Sequence, residues 1–155
     1  MFDTIAGLPL HPLVVHATVV LLPLMSLVTM AVAIRPAWRG AAWAVVAADL
    51  AVVATTLVAK ESGEKFQGRL QAIRGGAAVA KEHADQGALL PYFAIALLVA
   101  AVVLWLARRV AGLTVVAIVL AVVTGVAATG WTVLVGHSGA TDVWSGVVSS
   151  TASGS

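Results

Sequence analysis

Residues 12–34 read PLVVHATVVLLPLMSLVTMAVAI, a stretch without one Asp, Glu, Lys or Arg. A helix needs roughly 20 mostly apolar residues to cross the hydrocarbon of a bilayer, so this stretch is long enough to span. Three more qualify, at about residues 41–59, 89–107 and 113–136. Closed barrels are the other way through a membrane, but their strands are segments of about ten residues with alternating hydrophobicity. The runs here are continuous and about twice that length, so helices are expected. The reading is an all-α integral membrane four-helix bundle with short inner loops and a longer, partly helical outer loop. One domain covers residues 1–148, and residues 149–155 form a disordered tail rich in Ser.

Composition agrees. The 155 residues are 61% hydrophobic and 10% charged, and mean hydropathy is +1.02. A soluble domain is nearer half apolar and a quarter charged, so charge this sparse cannot cover a water-facing surface. The net charge of +2 is too small to point to nucleic acid. Cysteine is absent, which removes disulfides, thiolate metal sites, iron–sulfur clusters and cysteine nucleophiles. The first apolar run reads as a retained span rather than a cleaved leader. Met1 to Leu10 carries Asp3 but no basic residue, and the run exceeds a leader's apolar core of about 7–15 residues.

Charge sets the expected orientation. The connections around Arg35–Arg39 and Arg108–Arg109 are short and basic, and both fall on one side. The positive-inside rule makes that side cytoplasmic, with both termini and the middle loop, Lys60 to Gly87, outside. Trp38, Trp43 and Trp105 then fall at the inner interface, and Tyr92, Phe93, Trp131 and Trp144 near the outer one. Phe66, Leu70 and Ile73 recur at helical spacing among charges, which reads as a short surface helix ended by Gly75-Gly76. Pro12 suits a helix start and Pro23 predicts a kink. A faint repeat runs through the chain: His, Pro, span, basic loop, span, opened by His11-Pro12 and again by His83 and Pro91.

All four histidines fall toward the outer face on this topology: His11, His16, His83 and His137. Imidazole ligates transition metals and haem iron, and facing helices of a bundle can bring such ligands together. His16 and His137 lie at similar depth on different helices, which makes them the first-choice ligands, with His83 and His11 behind them. His137 sits in Gly136-His137-Ser138-Gly139-Ala140, which reads as a tight turn closing the fourth span. Asp49 is near the centre of span two, where a carboxylate costs about 2.5–3.5 kcal/mol to insert. It is either a proton site or an interhelical hydrogen-bond partner of Ser26, Thr29 or Thr124. Thr56 and Lys60 share its stripe. The small residues from Gly125 to Gly130 suit close helix packing. No phosphate loop, hydrolase elbow or zinc-protease helix is present, and Ser26 and Ser138 have no evident base, so no stand-alone enzyme is expected.

Several pieces together resemble a known family. Leu8-Pro9-Leu10-His11-Pro12 with Val15-His16 resembles the opening of the bacterial domain-of-unknown-function 2231 family. Glu61-Ser62-Gly63-Glu64 resembles its motif after span two, and His83 with Gly87 its region before span three. Gly136-His137-Ser138-Gly139-Ala140 with Val143-Trp144 resembles its C-terminal signature. Other members often carry a double glycine and a Tyr there, and some a further histidine in the tail. The resemblance covers nearly the whole chain and implies four spans in a bacterial inner membrane. Relatives beside Rieske or cytochrome c modules would point to electron transfer. It also sets Glu61 and Glu64 beside the histidines, and His16, His137, His83, Glu61 and Glu64 make a plausible set for iron, zinc or manganese. Two imidazoles alone would suit haem b.

The expected function is a membrane component of electron transfer, binding haem or a transition metal near the outer face. It would work with membrane redox partners or self-associate. The alternatives are a cofactor-free accessory subunit docking through the Gly125–Gly130 face, and a small transporter or proton pathway through Asp49.

Overall fold

The computed structural model describes residues 4–5, 8–73 and 81–152. A two-residue antiparallel pair, β1 (Thr4–Ile5) and β2 (Leu8–Pro9), leads into α1 (Leu10–Ile34). A 3₁₀ turn over Pro36–Ala41 reverses the chain into α2 (Ala42–Ile73). The short α3 (Lys81–Gly87) precedes α4 (Leu90–Ala107), and a second 3₁₀ turn, Ala111–Leu113, leads to α5 (Thr114–Ala152). Among the described residues, four helical segments are long and apolar enough to cross a membrane. The all-α four-helix bundle read from the sequence is therefore the observed fold.

α1 packs against α2 and α5, and α4 packs against the same two helices, so the ring order is α1, α2, α4, α5. Small side chains set the spacing. Ala33, Ala42, Ala100, Ala101, Ala117 and Ala121 are buried with Val32, Val45 and Leu104 toward the arginine-bearing end. Small residues let spanning helices approach closely. A Cβ on Gly125 would lie 3.1 Å from the Met30 side chain, so Gly125 is a contact within the bundle. Ala128 is buried too, whereas Gly130 is exposed. The outside is inverted relative to a soluble protein: Val115 and Val133 are 70% and 65% exposed, while Thr18, Ser26, Thr29, Asp49, Thr56 and Thr132 are buried. Their hydroxyls mostly turn back on their own helix, as Ser26 does to the Leu22 carbonyl at 2.8 Å and Thr132 to the Ala128 carbonyl at 2.7 Å. In lipid each polar group must find a protein partner.

Helix lengths correct two expectations. Glu61-Ser62-Gly63-Glu64 does not end the second helix. α2 continues through it, so Phe66 belongs to α2 and not to a separate surface helix. No proline interrupts residues 42–73, and Lys60 and Glu64 pair across one turn at 3.0 Å. Gly75-Gly76, the expected stop, lies outside the described residues. Likewise Gly136-His137-Ser138-Gly139-Ala140 is helix, not turn, and α5 runs on to Ala152. Ser138 and Thr141 donate to the carbonyls of Val135 and His137, both at 3.0 Å, which satisfies their hydroxyls inside the helix. At a 1.5 Å rise, α2 and α5 are about 48 and 58 Å long, against about 30 Å of hydrocarbon. The surplus lies at the end where α1 and α4 begin. α4 is only 18 residues, so α2 and α5 rise past it there, with α3 against them.

Candidate functional site

That difference in length creates a cavity of about 610 Å³ between the start of α1, the upper halves of α2 and α5, α3, and the start of α4. Its walls are largely apolar, and His11, His16 and His83 all lie on them. Ligand pockets are commonly of this size and character, with a few placed polar groups.

His11 and His83 are held in matching ways. On α2, Ser62 donates its hydroxyl to the Ala59 carbonyl at 3.0 Å. Its one proton is thereby committed, so its oxygen accepts from His11 Nδ1, 3.2 Å away. The His11 ring lies over Gly63, where an added Cβ would fall 2.9 Å from its Cε1. On α5, Ser138 bonds to the Val135 carbonyl, and His83 Nδ1 donates to that same carbonyl at 3.0 Å. The His83 ring lies over Gly139, where a Cβ would fall 2.9 Å from its Cε1 and Nδ1. Each cradle is a carbonyl, a serine three residues on and a glycine four residues on. Phe66 also stacks on the His11 ring at 5.8 Å. Trp131 pins the other half by donating to the Gln86 carbonyl at 3.0 Å while stacking on Phe93.

His16 donates from Nδ1 to the Pro12 carbonyl one turn back. At each of the three cavity histidines the bonded ring nitrogen is Nδ1, and Nε2 is the nitrogen outside these bonds. A ligating histidine is oriented in this way, by a bond from its other nitrogen. Thr18, 1% exposed, lies on the cavity wall, and its hydroxyl has no partner among the described residues. Lys60 and Glu64 also line the cavity, paired to each other.

The expected pairing of His16 with His137 is not found. His137 is exposed and off the cavity, although its neighbours Gly136 and Gly139 line it. Because the helix continues, two residues on from the buried Val135 is the opposite face. Glu61 is likewise exposed and off the cavity. Among the described residues no three His, Asp or Glu side chains are placed to share one metal ion. Asp49 is not on the cavity. It is buried in the bundle, where Thr29 donates to its Oδ2 at 3.1 Å, and its Oδ1 has no partner among the described residues. Of the three partners considered for it, the bond goes to Thr29. Along α1 the fully buried Leu22 separates Thr29 from Thr18 at the cavity. The cradling glycines, Phe66 and Thr18 were not singled out as site residues by the sequence reading. The signal for the cradles is the Ser-Gly pair at the same register in both halves, Ser62-Gly63 and Ser138-Gly139.

Fold and cavity together define a multi-pass α-helical membrane protein with a histidine-lined chamber at one end. The chain belongs to the family described as "Predicted membrane protein (DUF2231)", whose model matches residues 7–152. No curated protein and no solved structure matches the chain.

Proposed function

We propose that the protein is a membrane redox component that holds a haem or a transition metal in the histidine-lined cavity. The observation that carries this reading is a convergence: His11, His16 and His83 line one largely apolar chamber, each ring oriented by a hydrogen bond at Nδ1. Bound iron, as haem or as an ion, would supply reversible one-electron chemistry. The chain's own contribution is to orient the imidazoles, exclude water with apolar walls, and anchor the site in the bilayer. The basic connections, Arg35–Arg39 and Arg108–Arg109, put the arginine end in the cytoplasm by the positive-inside rule. The cavity then opens near the outer face of what the family resemblance implies is a bacterial inner membrane, within reach of a redox partner there.

The test is the haem and metal content of detergent-purified protein, taken beside a variant with His11, His16 and His83 all changed to Ala. Near-stoichiometric haem or metal that falls at least tenfold in the variant is the expected result. Wild-type protein with neither, even after reconstitution, is the contrary result and favours the cofactor-free accessory subunit.

A further inference from the structure

The geometry points to one ligand class and one pair of residues: an iron tetrapyrrole held through two imidazoles, His11 and His83, seated on Gly63 and Gly139. This rests on the cofactor reading above and narrows it. A bare metal ion takes most of its ligands from the protein, four in the usual zinc site and more for harder cations. Among the described residues no three His, Asp or Glu side chains converge to supply them. Haem iron needs far less from the chain, because the macrocycle fills four positions and the protein supplies only axial ligands. Two imidazoles beside a chamber of about 610 Å³ match that requirement.

The choice of His11 and His83 over the other histidines follows from the repeat. The two halves of the chain present the same cradle, with Ala59, Ser62 and Gly63 under His11 and Val135, Ser138 and Gly139 under His83. α1 and α4 occupy equivalent places, each packed between α2 and α5. Equivalent imidazoles from equivalent halves are brought to one chamber, which is how a ligand with two equivalent faces is held. His16 lacks such a seat: it is exposed, and its Nδ1 bonds only within its own helix. The glycines are positioning residues. Any side chain at Gly63 or Gly139 must push an imidazole away, because the added Cβ falls 2.9 Å from the ring. Thr18, whose buried hydroxyl has no partner among the described residues, is one of the polar groups on the wall, with Gln67 and Asp85.

The experiment uses the full chain purified in detergent and loaded with haemin, with oxidised and dithionite-reduced spectra and haem stoichiometry. The variants are His11→Gly, His83→Gly, His16→Ala, His137→Ala, Gly63→Ala and Gly139→Ala. Helicity by circular dichroism and rescue with added imidazole separate loss of a ligand from loss of fold. His11→Gly and His83→Gly are each expected to lose the six-coordinate low-spin spectrum and regain it with imidazole. His16→Ala and His137→Ala are expected to keep it, and the two glycine variants to shift it or lose it. A low-spin spectrum that survives His11→Gly or His83→Gly overturns the assignment and leaves the cofactor reading standing. Stoichiometric metal without haem overturns the tetrapyrrole and again leaves that reading. Protein that takes up neither overturns both.

Discussion

Each imidazole on the chamber is oriented through Nδ1, by the carbonyls of Pro12 and Val135 and by the Ser62 hydroxyl, whose own proton goes to the Ala59 carbonyl. Under the proposed function, Nε2 of these rings would be the nitrogen that ligates. Asp49 carries a different consequence. Its bond from Thr29 joins α1 to α2 inside the bundle. Hydrogen bonds between spanning helices contribute about 0.6 kcal/mol on average and up to about 1.7. Thr29→Val is therefore expected to destabilise the protein by about 0.6–1.7 kcal/mol in an SDS-unfolding titration, with Thr29→Ser nearer wild type. An unchanged midpoint for Thr29→Val would show that the bond contributes nothing. Residue identity in the sequence was enough to pick out His11, His16, His83 and Asp49 as unusual. It could not say which way His137 points, because that depends on whether residues 136–140 turn or stay helical.

At the scale of the element, the unforeseen feature is the continuity of α2 and α5. Glycine and serine are poor helix formers in isolation, and a cluster of charges after an apolar run reads as the end of a span. Propensity is a weak prior, and here packing overrides it. Within these helices, glycine stands at 63 and 139 where an imidazole occupies the space a side chain would take. The four spans themselves were legible, because length and hydropathy decide them without reference to packing. The upper part of α2 is thus a wall of the site, and hydrogen exchange can test it. Backbone amides of residues 60–72 are expected to exchange at least tenfold more slowly than an unstructured chain. Free exchange there would restore the loop read from the sequence. Gln67→Pro is expected to break this segment and lower haem uptake while leaving membrane insertion intact, since Pro in a helix interior costs about 3 kcal/mol.

The whole molecule is two halves of similar plan around one chamber. The sequence hinted at this only through its loose repeat of His, Pro and span. The matched cradles become visible once the chain is folded, because partners such as His11 and Ser62 are far apart in sequence. An even number of spans puts both ends of the domain on one side, and the absence of cysteine makes that simple to check. Single cysteines at Ala37 and Val110 are expected to react with an impermeant maleimide from the cytoplasmic side, and one at Thr141 from the other side. Labelling of all three from one side would break the four-span topology, while exchange of the two sides would only invert it. The central claim is that the chamber holds a redox cofactor, and the most direct measurement is a spectroelectrochemical titration of the purified, haemin-reconstituted chain. One reversible one-electron transition is expected, with the Soret and visible bands moving together. A spectrum of free haemin, with no protein-dependent transition and no other bound metal, would contradict it.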